Sequence, residues 1–338
     1  MSHPTAQTRD DPARAYASLR SRARRWWLGL QRAVGRRSAR GSRPRLSVVI
    51  CTFEMQREAP RTLLSASVPY QKDIGVDEYE VIVVDNGSST PPEVPAGLPS
   101  VRVLRHPSPT PSPAPAMNWG AEQASGDILL FAIDGARIFS DRLYRSVLDA
   151  HRRVDDALVY TLAWHIGPAE QMTSSRQGYD QRVEDELIAS SGWPDDPDAL
   201  WKVSVFAGSS NEGFFRPVAE SNAFSVPRTL FERLGGYDER YTSPGGGLCN
   251  LEIFRRYVNH LGVTAVCLLS EGTFHQFHGG VATSGRVGWD ELVAEHRRIT
   301  GEPDFELPVY RPLYLGPVRP AVVPFLEASL HMAIGTPR

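Results

Sequence analysis

The sequence predicts an α/β fold in which a mostly parallel central sheet is flanked by helices. Apolar runs at residues 46–54, 79–86 and 128–138 are bounded by turn residues, as is typical of strands buried on both faces. Between the first two runs, at residues 60–68, leucine and alanine recur at helical spacing, which indicates a β-α-β unit. The runs lead to Glu54, Asp85 and Asp134. Open α/β folds bind ligands just outside the carboxyl ends of their strands, so we expect chemistry at this edge.

Further elements follow in the same manner. The pattern predicts a strand at 101–106, a helix at 116–125, a strand at 263–269 and helices ending at Leu234, beginning near Leu248 and spanning 289–299. The domain organisation predicted from these elements is a basic tail at 1–44, a main domain at 45–285 and a helix with a proline-rich arm at 286–338. The main domain would comprise a nucleotide-binding half, about 45–150, and an acceptor half, about 151–285. We expect the apolar arm to extend around the core or to pack on a partner or membrane.

Four segments carry a recognisable order of motifs: SVVICTFE, EVIVVDNGS, MNWGAEQASGDILLFAIDGAR and LGGYDERYTSPGGG. Over residues 46–278 the chain resembles the inverting glycosyltransferases of the family 2 type. The resemblance implies the GT-A fold and transfer of a sugar from a nucleoside-diphosphate donor to a hydroxyl acceptor. That acceptor would be a glycan, a lipid-linked glycan or a small molecule, as in polysaccharide biosynthesis.

The resemblance also implies roles for single residues. Thr52 and Glu54 would line the nucleobase pocket, and the Asp85 carboxylate would accept a hydrogen bond from the base or ribose. Asn118 would support the pocket beside the diphosphate, and Asp134 would hold a magnesium or manganese ion that neutralises the leaving group. Asp85 and Asp134 could equally serve as turn caps, and neither role excludes the other.

The chain departs from the family pattern beside Asp134. Where the family has a second acid two residues later, this sequence has Ala136 and then Arg137. Two explanations remain. Other groups complete the metal site, which is the explanation that we prefer, or the Arg137 guanidinium binds the diphosphate in place of a metal.

A late histidine is the expected replacement ligand. His275 and His278 lie in EGTFHQFHGG at residues 271–280. Residues three apart in an extended segment point to opposite faces, so we expect only one to reach the site, with His278 favoured. The alternative is a hydrogen-bonded core histidine among neighbouring phenylalanines.

Inverting transfer needs a carboxylate base that removes the proton of the acceptor hydroxyl. The Glu-Asp pair that supplies this base in the family is absent from SPGGGLCNLEIFRR. Glu252 is the first candidate and Asp238 the second, although Glu252 could also be a helix-surface acid paired with arginine.

Arg216, Glu220 and Asn222 precede a helix in a region that, by resemblance, borders donor sugar and acceptor. Trp193 and Trp201 lie in an acid-rich stretch that either shapes the acceptor pocket or is a surface insertion.

Composition and charge restrict the partners and the cellular location of the protein. The first 45 residues hold twelve arginines against two aspartates, so they carry about +10 and the rest about −12 of a net charge of −2. An acidic body argues against a nucleic-acid partner, whereas the arginine-rich tail with Trp26 and Trp27 is either a solvated leader or a peripheral contact with anionic membrane. The three cysteines are not spaced like metal ligands and are too few for a disulfide framework, so we expect a protein of the reducing cytoplasm. No apolar run is long enough to span a bilayer, and we expect no signal peptide.

The sequence leaves one alternative function open and excludes another. A GT-A-like protein that binds nucleotide sugar but has lost catalysis would explain Ala136 and the missing Glu-Asp pair. A dinucleotide-dependent oxidoreductase is excluded because no Gly-x-Gly-x-x-Gly turn follows the first strand.

Overall fold

The computed structural model describes residues 45–279 and 288–335. Its strands are β1 Leu46–Thr52, β2 Tyr79–Asp85, β3 Val101–Arg105, β4 Ile128–Ala132, β5 Arg137–Phe139, β6 Ala157–Ile166, β7 Ser204–Phe206, β8 Phe224–Pro227, β9 Thr264–His275 and β10 Leu313–Leu315. Its helices are α1 Ala59–Ser65, α2 Ala114–Gln123, α3 Leu143–Arg153, α4 Gln171–Arg176, α5 Gln181–Ser191, α6 Ala199–Lys202, α7 Arg228–Leu234, α8 Cys249–Val258, α9 Trp289–Thr300 and α10 Val323–Ile334. The predicted basic tail at 1–44 lies outside the described residues.

These strands form one sheet in the order β10-β9-β6-β8-β4-β1-β2-β3, with β5 added to β9 and β7 to β6. Neighbouring strands along the main path run parallel except where β8 lies between β4 and β6. The prediction of a mostly parallel sheet with flanking helices is therefore confirmed.

Both faces of the sheet are covered, which explains the uninterrupted apolar runs. Every residue of β1 is buried. Val49 and Cys51 pack in a cluster with residues of α2, α7 and α8, whereas Val48 and Ile50 pack on the other face with residues of α1 and α3. Because β1, β2 and β4 are parallel, their carboxyl ends meet at one edge, where Thr52 and Asp85 are register partners.

Asp134 lies in the turn after strand β4, as predicted from the sequence, and a second short strand, β5, follows that turn at Arg137. One segment differs from the sequence prediction. The arm expected to be extended ends in helix α10, because Pro324 occupies the first helical turn, where a missing N–H costs no hydrogen bond. Within the described residues, no helix is long and apolar enough to cross a membrane.

The arm is attached to the core through Arg319. Its guanidinium lies 2.5 Å from Asp141 Oδ1 and 3.4 Å from Glu271 Oε1, and both carboxylates are buried. Removal of one partner from a buried ion pair leaves an uncompensated charge, which is far more costly than the loss of an exposed pair.

We expect Arg319→Ala to lower the free energy of unfolding by about 3 kcal/mol, because it leaves two buried carboxylates without their cation. Urea unfolding followed by tryptophan fluorescence measures the change. The matched control is Arg182→Ala, which removes an exposed arginine paired with Glu186. Equal stability of the two variants would show that the arm does not depend on this contact.

Candidate active site

The turn that carries Asp134 is pressed against the end of β1. A Cβ at Gly135 would lie 2.5 Å from Thr52 Cγ2 and 2.7 Å from the Cys51 carbonyl oxygen, so only glycine allows this approach. Asp134 Oδ1 accepts a hydrogen bond from the Ala136 N–H at 3.0 Å. Asp134 thus closes its own turn and at the same time lies at the carboxyl edge of the sheet.

Strand pairing places three polar residues in one row beside this turn. Arg137 of β5 is the register partner of His275 of β9, and His165 of β6 pairs with the same histidine from the other side. The Arg137 Nη2 atom lies 3.2 Å from Asp134 Oδ2. Two strands distant in sequence thereby complete the surroundings of Asp134.

Both late histidines reach Asp134. The Nε2 atom of His275 lies 2.8 Å from Asp134 Oδ2, and that of His278 lies 3.6 Å from Oδ1. The expectation that only one would face the site is wrong. Its premise, strand alternation, ends with β9 at His275, and the irregular chain beyond it turns His278 to the same side.

The donor set of these three residues fits a metal ion. One ligand atom from each lies within 4.8 Å of the others, and the two Nε2 atoms are 3.0 Å apart. Each Nε2 has a single hydrogen or a single lone pair, so His275 cannot satisfy both Asp134 and His278 by ordinary hydrogen bonds. Two nitrogens bound at about 2.1 Å to one ion at right angles would be about 3 Å apart.

The pKa values of the three groups reflect their mutual charges. Burial opposes ionisation of Asp134, but His275, His278 and Arg137 outweigh it and hold its pKa well below the usual value. Burial and the charge of Arg137 lower the pKa of His275 to about 4. Although burial acts against it, the Asp134 carboxylate raises the pKa of His278. An ionised Asp134 beside a neutral His275 is the protonation state that a metal requires.

Arg137 has hydrogen-bonding capacity that the protein does not use. Its side chain is buried, yet Nε and Nη1 have no hydrogen-bond partner among the described residues. A buried N–H group without an acceptor costs free energy, so these donors point to an anionic ligand beside Asp134.

A second unsatisfied group lies at the end of β2. Asp85 Oδ1 accepts the Ser88 N–H at 3.1 Å, which closes the turn, whereas the buried Oδ2 accepts no hydrogen bond within the described chain. Its nearest cation is Arg105 Nη1 at 3.6 Å. Thr52, the register partner of Asp85, is buried beside it. One oxygen of Asp85 therefore serves the fold and the other is free for a ligand.

Glu54, just after β1, contacts the turn that follows β2 at the same edge of the sheet. Its backbone has a positive φ of 52°, and its carboxylate accepts the N–H and hydroxyl of Ser89 at 2.6 and 2.9 Å. These hydrogen bonds, the backbone one foremost, lower the pKa of Glu54. Glu54 thus fixes the turn after β2 next to Asp85.

Asn118 joins α2 to the segment after α7. Its side-chain oxygen accepts the Tyr237 N–H at 2.8 Å, and its nitrogen donates to the Tyr237 carbonyl at 2.9 Å. A Cβ at Gly236 would collide with this amide. The structure thus gives Asn118 a supporting contact, and its predicted place beside the diphosphate stays a prediction.

The two acids predicted as the base are both held by arginines. Arg256 contacts both oxygens of Glu252 at 2.7 and 3.1 Å, and Arg240 contacts both oxygens of Asp238. The pairing of Glu252 with an arginine one turn away is the alternative considered from the sequence. No described contact brings either acid to Asp134, so the base prediction remains untested.

Glu220 is the acid that sequence reasoning did not select. Its Oε2 atom accepts a hydrogen bond from Asn250 Nδ2 at 2.6 Å, and the charges of Arg137 and Asp134 both act on it. Burial raises the pKa of Glu220, and Asn250 and Arg137 partly offset that. Asn222, predicted to bind donor, is buried two residues later. In the sequence, the one indication of a role for Glu220 is its place in a segment that, by resemblance, borders the donor sugar.

The tryptophans of the acid-rich stretch are not available to stack on a sugar. Trp201 is buried edge-on against Trp164, and the Trp193 indole N–H donates to the Tyr70 hydroxyl at 3.1 Å. The two tryptophans are therefore packed in the core and do not form an aromatic acceptor platform, although other residues of the stretch, such as Glu186, are exposed.

The same stretch supplies a residue that positions His278. Glu184 of α5 is fully buried, and its carboxylate oxygens accept the Phe277 N–H at 2.8 and 3.0 Å. Arg57 neutralises Glu184 at 3.0 Å and donates to the Phe277 carbonyl at 3.0 Å. The segment before His278 is thus held on both its N–H and its carbonyl.

Comparison with known proteins gives one strong match. The model of the family described as "Glycosyltransferase like family 2" matches residues 47–282. A search of curated proteins found no significant match.

Solved structures are similar at low identity. The mannosyltransferase PcManGT from Pyrobaculum calidifontis, in complex with GDP-Man and Mn2+, is 16% identical, with 95% of this chain and 79% of that chain covered and a TM-score of 0.43. S. aureus TarS 1-349 in complex with UDP-GlcNAc is 14% identical, with 77% and 68% covered and a TM-score of 0.45.

We expect Glu184→Ala to weaken Mn²⁺ binding at least tenfold, because the backbone that carries His278 loses its acceptor and Arg57 loses a buried partner. Titration calorimetry with Mn²⁺ measures the affinity, and circular dichroism checks the fold. Glu186→Ala on the exposed side of α5 is the matched control and should bind Mn²⁺ like the wild type. Unchanged affinity in Glu184→Ala would show that His278 needs no such support.

Proposed function

The chain belongs to the glycosyltransferase like family 2, and from this membership we propose that it moves a sugar from a nucleoside-diphosphate donor to a hydroxyl acceptor with inversion at the anomeric carbon. The observation that carries the proposal is the convergence of Asp134, His275 and His278 beside the unpaired N–H groups of Arg137. A carboxylate and two imidazoles offer a cation site, and a guanidinium with free donors offers a phosphate site. A diphosphate can use both, because its oxygens bind a cation and also accept hydrogen bonds.

We propose that Asp134, His275 and His278 hold a divalent cation. When bound, the cation would neutralise charge on the nucleoside-diphosphate leaving group. Magnesium prefers oxygen ligands, whereas two of the three ligands here are imidazoles, so manganese is the better fit of the two predicted ions. The histidines take the place of the acid that Ala136 does not supply.

Arg137 acts together with the cation. Its Nη2 contacts Asp134, while Nε and Nη1 remain to donate to phosphate oxygens. The sequence presented metal and arginine as alternatives, and the proximity of both to Asp134 supports a shared role on one diphosphate.

The nucleobase would lie at the ends of β1 and β2. Asp85 Oδ2 is a buried acceptor without a donor among the described residues, and uracil and guanine both offer an N–H to such a group. Thr52 and Glu54 border this position. Asn118, which is fixed by Tyr237, would support the pocket beside the diphosphate. We propose a uridine or guanosine diphosphate sugar as donor, and a glycan, lipid-linked glycan or small molecule as hydroxyl acceptor.

A cytoplasmic location is part of the proposal. Its support is that Cys51, Cys249 and Cys267 are all free and buried, as suits a reducing compartment. Peripheral contact with the inner membrane face through residues 1–44 is supported by their charge of nearly +10.

A donor library tests the function. The purified protein is incubated with UDP- and GDP-sugars and pooled hydroxyl acceptors in Mn²⁺, and products are identified by mass spectrometry and by the anomeric configuration in NMR spectra. Transfer with inversion supports the proposal. Tight nucleotide-sugar binding without turnover would instead identify a binding protein that has lost catalysis.

We expect Asp134→Asn, His275→Ala and His278→Ala each to weaken Mn²⁺-dependent nucleotide binding by about tenfold or more, because each removes one ligand from the cation. Chelation by EDTA should abolish turnover. Asp73→Asn and His260→Ala alter exposed residues and serve as controls. Full activity in EDTA would refute the metal and leave charge neutralisation to Arg137.

We expect the full-length protein to sediment with anionic phosphatidylglycerol vesicles, and a variant without residues 1–44 to stay in solution, because the removed segment holds the cationic charge. Salt at about 0.5 M should have the same effect, since it screens exposed charges. Equal sedimentation of both proteins would show that these arginines do not recruit the chain to membrane.

A further inference from the structure

Inverting transfer needs a carboxylate that is free to accept a proton from the acceptor hydroxyl. The Glu-Asp pair of the family is absent from SPGGGLCNLEIFRR at residues 243–256. Glu252 and Asp238, the acids predicted from the sequence, have both oxygens bound by Arg256 and Arg240. A carboxylate with both oxygens engaged by a guanidinium is a poor proton acceptor, because the arginine stabilises the charged form.

Glu220 differs from Glu252 and Asp238 because only one of its carboxylate oxygens accepts a hydrogen bond from the described residues. One oxygen is held by Asn250 Nδ2 at 2.6 Å, and the other, Oε1, accepts no hydrogen bond from the described residues. Asn250 also donates to the Ser221 carbonyl at 3.2 Å, so one side chain at the start of α8 fixes both the carboxylate and its backbone. Glu220 is only partly buried, so its free oxygen can meet a ligand.

Glu220 also belongs to the electrostatic environment of the proposed cation and phosphate site. Among the charges that act on the Arg137 guanidinium, Glu220 follows Asp134, and Arg137 and Asp134 both act on Glu220 in turn. Glu220 is therefore held by Asn250 at the start of α8 and lies within electrostatic range of the residues that would hold the diphosphate. The sugar attached to that diphosphate must occupy neighbouring space.

We propose that Glu220 is the general base of this glycosyltransferase, an assignment that rests on the proposed function. Glu220 Oε1 removes the proton from the acceptor hydroxyl as the acceptor oxygen forms its bond to the anomeric carbon. The bond between that carbon and the diphosphate oxygen breaks on the opposite side, and its electron pair leaves with the nucleoside diphosphate. Glu220 ends the step protonated and releases the proton to water.

The local chemistry suits this role. General-base catalysis is most efficient when the base has a pKa near the working pH. Partial burial raises the pKa of Glu220, whereas the Asn250 hydrogen bond and Arg137 limit the rise and keep the carboxylate available. An acid on the loop before β8, held in place by Asn250 of α8, thus takes the role of the Glu-Asp pair that this chain lacks.

The experiment compares Glu220→Gln with wild type. Because water can replace the acceptor, the first readout is release of UDP from UDP-GlcNAc or GDP from GDP-mannose, whichever donor the wild type consumes. We expect kcat to fall about 100-fold or more, while KM for the donor and the Mn²⁺ affinity from calorimetry stay within about twofold, since a base acts in the transition state only.

Two variants serve as controls. Glu212→Gln makes the same chemical change on the same loop at an exposed residue and should behave like wild type. Asn250→Ala removes the group that holds Glu220 and should lower kcat by about tenfold, again without loss of Mn²⁺ affinity.

Three results would overturn the assignment. Normal kcat in Glu220→Gln together with its loss in Glu252→Gln would return the role to Glu252. Loss of Mn²⁺ affinity in Glu220→Gln would make Glu220 a metal ligand. Retained kcat in both variants would exclude both acids. A wild-type protein that binds no nucleotide sugar would instead refute the proposed function itself, before any variant is compared.

Discussion

The antiparallel pairing of β5 with β9 is the contact on which the site depends. It sets Arg137 opposite His275. Because β5 begins only three residues after Asp134, the same pairing also places the Asp134 turn next to the histidines. The turn can reach this position because Gly135 allows close contact with the end of β1. A shift of one residue in this register would turn Arg137 and His275 to opposite faces of the sheet.

Charge balance follows from that pairing. Asp134 is surrounded by an arginine and two imidazoles, and it stays ionised because these outweigh the effect of burial. Arg137 is buried, and its Nε and Nη1 atoms have no hydrogen-bond partner among the described residues, which is unfavourable unless an anion accepts from them. These donors belong to the guanidinium that contacts the ionised Asp134, which the two imidazoles also contact. The combination supports the proposed binding of a cation together with a diphosphate.

The parts of the chain outside the family motifs stabilise this centre and contribute little new surface to it. Helix α5 supplies Glu184 to the backbone before His278, and Arg57 completes that contact. Arg319 attaches the C-terminal arm to the buried acids Asp141, which follows β5, and Glu271 of β9. Because ion pairs of this kind are costly to break singly, they hold the backbone of the site in one arrangement. Trp193 and Trp201 serve the same purpose through packing.

Local pattern alone was enough to place strands β1 to β4, the first part of β9, helices α1, α2, α7, α8 and α9, and the edge that carries Thr52, Asp85 and Asp134. Those features follow from alternation, apolar length and turn residues, which are properties of neighbours in sequence. The two histidines were indicated by the family resemblance. The convergence of His275 and His278 on one carboxylate, the burial of the tryptophans and the hydrogen bond between Glu220 and Asn250 were not predictable in that way. Each depends on which distant segments pair and where a strand stops, and a one-dimensional pattern carries no information on contacts between residues that are more than 100 positions apart, such as Asp134 with His275.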